Sequence, residues 1–448
     1  MENGQARVES KRDARRLKAA YIMSRFPKLT ETFILYEMLA LEQQGVQVEL
    51  YPLLRARHTA THPEGASVWT KLRERVSRSP GEVVMHPEAK PFVARANFQP
   101  FISWPILRAQ FHFLFRKPGA YLSTLWTLLR ATWGSPNYLL AGLGLFPKTV
   151  HLAERMAAEG ITHVHAHFAN HPAAAAFIIH RLAGIPYSFT AHGADLQVDQ
   201  HMLREKVAEA DFVVTISNYN RDLIASVCGK KFRDKILVIR SGVDTQVFHP
   251  HPAEAAREAA SPLSILCTGT LYEVKGQTYL IEACRLLRKR GIDFACYFIG
   301  EGPDLAALTE QAARAGIADQ VHFLGRRTRE EIVEQLRQTE VVAVPSVPTD
   351  SGRREGIPVV LMEAMASGVP VVASGISGIP ELVEDGESGL LVPPRNPPAL
   401  ADALERLYRD PALRQRLGQA GRDKVLREFD LRTNAALLAQ HFNAEVQP

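Results

Sequence analysis

The feature that most constrains this chain is an alternation of short apolar runs with longer amphipathic ones, beginning at "AAYIMS" and continuing almost to the C-terminus. Strand-length runs separated by helix-length segments are how a parallel sheet with crossover helices reads in sequence. In the first half, strands are expected at 19–24, 46–53, 161–168, 186–191, 211–216 and 236–240. In the second half they are expected at 263–269, 294–299, 320–325, 340–345 and 370–374. A chain of 448 residues exceeds one ordinary core and fits two domains of roughly 200 residues each. The expectation is an α/β protein with two doubly wound, Rossmann-like domains facing an interdomain cleft.

The text divides accordingly into a disordered basic tail (1–18), a first domain (19–245) and a Pro- and Ala-rich linker (246–262). A second domain (263–425) and a C-terminal helix crossing back to the first (426–448) follow. Inside the first domain an insert at about 55–145 looks irregular, with Pro, Trp and Phe scattered among basic residues. Its stretch "WPILRAQFHFLFRKPGAYLSTLWTLLR", 104–130, reads either as buried helices or as a monotopic contact with the inner membrane leaflet. Hydrophobic content of 46% and charged content of 23% are ordinary for a soluble protein, and a net charge of +5 is too mild to imply a nucleic-acid partner. No run of about 18 uncharged apolar residues occurs, and the N-terminus is charged where a signal peptide is apolar, so a cytoplasmic protein is expected. Cys228, Cys267, Cys284 and Cys296 form no C-x-x-C pair and read as buried free thiols.

Ligand residues in such sheets follow strands, at their carboxyl ends. The segment "SILCTGTLYEVKGQTYLIEAC", 264–284, is strand, Gly-containing loop and helix, with Lys275 and Gly276 at the helix start. Such a loop aims backbone N–H groups and a point charge at an anion, and diphosphate is a natural guest. It is not a Walker loop, and "GEGPDL" at 300–305 lacks the third glycine of a dinucleotide fingerprint. Further on, "EGIPVVLMEAMASGVPVVAS" holds Glu355 and Glu363 about a short helix that Pro358 should begin and Gly368 end. Eight helical residues rise roughly 12 Å, farther than the about 5 to 9.5 Å separating the two carboxyls of a glycosidase. A longer ligand, with hydroxyls at both ends and phosphates between, suits that span.

The blocks "REGIPVVLMEAMASGVPVVASGISGIPELVEDGESGLLVP", "GTLYEVKG", "IGEGPDL", "FTAHGADL" and "SGVDTQVF" resemble the family-4 retaining glycosyltransferases of the GT-B fold over most of 160–425. The family's signature of two glutamates with seven residues between them falls on Glu355 and Glu363. The resemblance implies transfer of a sugar from a nucleotide-diphosphate sugar (NDP-sugar) to a glycan or lipid-linked acceptor. It implies that Glu355 and His192 act at the donor sugar, that Glu363 takes the ribose hydroxyls, and that Lys275 meets the diphosphate. Gly269, Gly356, Ile357 and Pro358 would line the donor. Many members read Gly-Arg where this chain reads Gly269-Thr270, so a phosphate-binding arginine is missing; Arg326, Arg353, Arg354 and Arg240 are candidate substitutes. The opening "SRFPKLTETFILYEM" resembles a branch that builds exopolysaccharides such as colanic acid, placing Lys28 and Thr30 on the acceptor side together with His167.

His163, His165 and His167 share one strand face and could hold zinc, but no Cys-rich or H-E-x-x-H partner accompanies them, and packing or cleft lining is the expected role. No metal and no cofactor is expected. Two alternatives stand beside glycosyl transfer: a glycoside phosphorylase of the same fold, and a sugar-nucleotide-binding protein without activity, which the missing arginine would suit.

Overall fold

The structure, a computed structural model, describes residues 17–27, 31–55, 87–197, 199–250 and 262–444. The basic tail up to 16, most of the linker (251–261), and Lys28 and Thr30, expected on the acceptor side, lie outside the described residues.

The strands are β1 (Lys18–Phe26), β2 (Gln47–Arg55), β3 (His163–His167), β4 (Tyr187–Ala191), β5 (Phe212–Thr215) and β6 (Ile236–Val238) in one sheet, ordered β2-β1-β3-β4-β5-β6. A second sheet holds β7 (Leu263–Thr268), β8 (Phe294–Ile299), β9 (Val321–Phe323), β10 (Val341–Val344), β11 (Val371–Ser374) and β12 (Leu390–Val392), ordered β12-β11-β10-β7-β8-β9. The chain divides into two compact units, Met1–Ser188 and Phe189–Pro448, with the boundary inside β4. The register is parallel, as in Ala19 opposite His163 and Val342 opposite Val371. Strands such as Val341–Val344 are buried at every position, because helices cover both faces of a parallel sheet. Each expected strand is present within two residues at either end; β12 was not anticipated.

The insert expected to be irregular is helical where it is described: Lys90–Arg95, Trp104–Arg116, Pro118–Thr132 and Pro136–Ala158. Four of its prolines are helix starts, with Pro91, Pro105, Pro118 and Pro136 all in first turns, where an N–H has no intrahelical acceptor to lose. Ile106, Ala109 and Phe113 point inward from the second of these helices, while its Trp104, Leu107, Phe111 and Phe115 are exposed. The stretch 104–130 is therefore helical, but it is not buried all round.

In the second unit, the segment after β6 is stitched to the start of the C-terminal helix Leu431–Ala444. Val243 N–H donates to Phe429 O at 2.9 Å and Leu431 N–H donates to Val243 O at 3.1 Å. A Cβ on Gly242 would sit 2.3 Å from Leu431 Cα, so only glycine permits that approach. At the end of the helix, Phe442 and His441 meet Phe212 of β5, with ring centroids 6.1 and 5.5 Å apart.

A similar approach joins the helix Pro411–Glu428 to the end of the helix Val359–Ala366, where a Cβ on Gly418 would fall 2.0 Å from Gly368 O. Gly418→Ala should cost about 1–3 kcal/mol through overpacking and lower the melting temperature by several degrees in calorimetry. An unchanged melting temperature would show that the two helices are not in backbone contact.

Candidate functional site

The carboxyl rim of the second sheet is built from glycines that let backbone pass over backbone. Gly269 follows β7 with φ +152°, and a Cβ on Gly300, which follows β8 with φ +139°, would meet Gly269 O at 2.1 Å. Gly300 N–H donates to Gly325 O at 2.9 Å, Leu271 N–H to Glu301 O at 3.1 Å, and Val347 N–H to Val274 O at 2.9 Å. Gly276 has φ +68°, and a Cβ there would lie 1.9 Å from Pro345 O. The loops after β7, β8, β9 and β10 therefore lock together, and Lys275 sits in a one-turn helix (Glu273–Lys275) directly before the helix Gln277–Lys289.

Lys275 Nζ reaches Glu355 Oε2 at 2.8 Å, and both side chains are largely shielded. The Lys275 stem also passes Gly269, where a Cβ would approach its Cε to 3.3 Å. Glu355 precedes the helix Val359–Ala366, whose N-cap is Pro358 and whose C-terminal turn closes through Gly368 at φ +77°. Pro358 thus stands one position before the helix rather than in its first turn. A Cβ on the next residue, Gly356, would strike His192 O at 2.6 Å, and Ile357 is buried against Gly378, where a Cβ would come 2.8 Å from Ile357 Cγ1. The sequence-predicted residues Gly269, Lys275, Glu355, Gly356, Ile357, Pro358 and His192 are thereby brought into one connected set.

His192 follows β4 and is held by its backbone. Asp195 Oδ1 accepts from His192 N–H at 3.0 Å and from Gly193 N–H at 2.8 Å. Gly193, at φ +118°, lies against Gly356, its would-be Cβ 3.5 Å from Gly356 Cα. Asp195 is a positioning residue that sequence reasoning passed over. Glu381 is another: it accepts from the backbone N–H groups of Asn218 and Tyr219 at 2.9 and 2.8 Å, capping the helix Asn218–Cys228. Ser346 Oγ, Ser377 Oγ and Asn220 Nδ2 are buried without a hydrogen-bond partner among the described residues, and Ser377 adopts φ +50°. Polar atoms left that way are rare and suit a ligand's donors and acceptors.

Of the four candidate substitutes for the missing arginine, Arg326 follows Gly325 on the same rim and pairs with Glu301 at 2.9 Å. Arg353 stands over the Tyr272 ring at 5.4 Å, above the loop that carries exposed Thr270. Arg240 is engaged elsewhere, between Glu381 at 3.5 Å and Glu428 at 3.8 Å, and Arg354 is exposed.

His167, in the first unit, is fully buried, with Nε2 3.0 Å from Glu37 Oε1, which also accepts from Tyr21 OH at 2.9 Å. Glu37, His165 and His167 place ligand atoms within 4.8 Å of one another, but His165 Nδ1 is already 2.8 Å from Ser188 Oγ. The trio joins a hydrogen-bond network between β3 and the helix Thr32–Gln43. The helix Thr32–Gln43 has Glu31 at its N-cap.

The family described as "Glycosyl transferases group 1" matches residues 254–424, and "Glycosyltransferase Family 4" matches residues 30–247. The chain belongs to the group 1, family 4 glycosyltransferases. The amylovoran biosynthesis glycosyltransferase AmsK of Erwinia amylovora is 38% identical over 53% of this chain, a match spanning 59% of that relative's own length. A putative colanic acid biosynthesis glycosyltransferase, WcaL of Salmonella typhimurium, is 28% identical over 92% of this chain and 96% of its own. The crystal structure of Anabaena HepE in complex with UDP superposes with a TM-score of 0.66 over 96% of this chain and all of that one; at 16% identity it speaks for the GT-B fold alone.

In this glycosyltransferase, Glu363 lies within the helix Val359–Ala366, and burial pushes its carboxyl up to about 7 while the Arg329 guanidinium pulls the other way. Arg329 also lies 3.6 Å from Asp244 and packs over Phe248 at 5.4 Å. No sequence signal marked Arg329, because its partners lie far from it along the chain.

A carboxyl raised in this way binds its proton more tightly in the folded than in the unfolded chain. Stability is therefore unpenalised below about 4.5 and falls as pH rises from there to about 7. Glu363→Gln should stabilise the ligand-free protein by ~1–3 kcal/mol at about pH 8 and hardly at all near pH 4.5. Melting curves across pH would read this, and a gain independent of pH would contradict the buried carboxylate.

Proposed function

We propose that the protein is a retaining glycosyltransferase that moves a sugar from an NDP-sugar to a glycan or lipid-linked acceptor in cell-surface polysaccharide biosynthesis. The observation that carries this reading is the Lys275–Glu355 pair at 2.8 Å, set between the glycine-packed rim and the carbonyl of His192. The donor's diphosphate takes Lys275, with Arg326 as the second cation in place of the absent arginine, and its sugar hydroxyls take Glu355. Glu363 accepts from the ribose hydroxyls, and the donor supplies the hydrogen bonds that offset ionising a buried carboxyl.

The anomeric C–O bond to the β-phosphate breaks, and the acceptor oxygen bonds to the same carbon on the same face. The acceptor's proton passes to the departing phosphate oxygen. Lys275 stabilises the charge that develops on that oxygen, while His192, fixed through Asp195, faces the reacting sugar. Charge stabilisation of the leaving group is the main contribution asked of the protein, and one well-aimed donor is worth about 2.7 to 4 kcal/mol. The relatives named for amylovoran and colanic acid biosynthesis support the polysaccharide context.

Lys275→Ala and Glu355→Ala should each cut kcat by about 10²–10³. Glu363→Ala should instead weaken donor binding by roughly 10- to 100-fold with a smaller effect on turnover, as expected for one charge-assisted hydrogen-bond site. Steady-state kinetics with the NDP-sugar that most raises the melting temperature measures both. Equal losses of kcat and affinity in all three variants would reject this division of roles.

A further inference from the structure

The helices Trp104–Arg116 and Pro136–Ala158 of the first unit bury an apolar stripe, the helix Pro118–Thr132 between them buries Thr124, Leu128 and Thr132, and all three present large apolar side chains to solvent. Trp104 is 74% exposed and Phe115 78%, on the same outward face as Phe111. Trp126 (66%) and Trp133 (78%) continue this on the second helix and just beyond its end, and Leu140 (69%) on the third. The three helices pack on one another, and large apolar side chains exposed along such neighbouring helices mark an interaction site.

The charge of the same region is one-sided. Between Glu88 and Glu154 there is no acidic residue and there are seven Lys or Arg; Arg95 pairs with Glu42 and Arg108 with Glu154, and the region stays net basic, which disfavours a second copy of this face. Phe101, which leads into the first helix, also lines a cavity of about 370 Å³ together with Arg25, Arg55 and Lys148. Arg25 and Arg55 lie at the carboxyl ends of β1 and β2, where a parallel sheet receives its ligands. Lys148 is buried and donates to the carbonyls of Leu53 and Gln99. Burial lowers its ammonium to about 8, which leaves it charged at neutral pH. No acid lines the cavity.

We propose that this face docks on an anionic lipid bilayer, with Trp104, Phe115 and Trp126 entering the headgroup boundary and the Arg25–Arg55–Lys148 cavity taking a lipid phosphate. Interfacial tryptophans and an excess of basic residues are the recognition chemistry of such a surface. The inference rests on the acceptor reading only for its purpose, since it uses no donor-site residue.

The test is co-flotation of the full chain with phosphatidylcholine vesicles, with and without phosphatidylglycerol, in the absence of sugar nucleotide. The wild type should float with the phosphatidylglycerol vesicles, and Phe115→Ser/Trp126→Ser should lower partitioning by about 10- to 100-fold with the melting temperature kept. Arg25→Gln/Arg55→Gln should erase the preference for phosphatidylglycerol. A wild type that stays behind, apolar variants that float unchanged, or a preference that survives loss of both arginines would overturn the proposal. So would sedimentation showing a dimer that Phe115→Ser/Trp126→Ser makes monomeric. Because no donor is present, none of these results touches the glycosyl-transfer reading.

Discussion

The close passage of one backbone over another at glycine is the constraint on which the second unit depends. At Gly269, Gly276, Gly300, Gly302 and Gly356 a Cβ would lie within about 3.3 Å of a neighbouring carbonyl or of the Lys275 stem. Hydrogen-bonded loops with side chains would hold the strand ends farther apart, and Lys275 could not then reach Glu355 from another loop. The same device recurs away from the rim, at Gly242 and Gly418, where it fastens the two C-terminal helices. Position is thus set by main chain, and side chains are left for chemistry.

The sheets were largely legible in the sequence, because a strand covered on both faces must be apolar along its length. The run 294–299 coincides with Phe294–Ile299, and Val341–Val344 and Val371–Ser374 lie inside their expected spans. The strand Leu390–Val392 escaped because three residues after a glycine carry too little pattern. The helices between 90 and 158 were obscured for two reasons: prolines that begin helices look like breakers, and helices apolar on opposite faces lose the single stripe that marks an amphipathic helix. The pattern failed where the surface departs from that of an ordinary soluble helix, which is itself informative.

The candidate site was legible in its parts and not in its wiring. The spacing of Glu355 and Glu363, and the place of Lys275 before a helix, could be read directly. That Glu355 and Lys275 face each other across 80 positions could not, nor that Asp195 fastens the His192 turn, nor that Arg329 is the cation near Glu363. Such pairings come from the order in which parallel strands are laid side by side, and that order leaves no local trace. Arg326 was in reach of sequence only as one of four candidates, and the structure adds its place on the rim, where it follows Gly325 and pairs with Glu301.

The 2.8 Å contact between Lys275 and Glu355 also makes the ligand-free site electrically self-satisfied. Each partner already has what a simple ligand would offer. Free orthophosphate can compensate the lysine but strands the carboxylate, and a free sugar can compensate the carboxylate but strands the lysine. Only a molecule carrying anion and hydroxyls at the right separation replaces both halves at once. In the donor-binding role proposed for it, the pair would act as a coincidence detector, discriminating against abundant phosphate and free sugars without a steric gate.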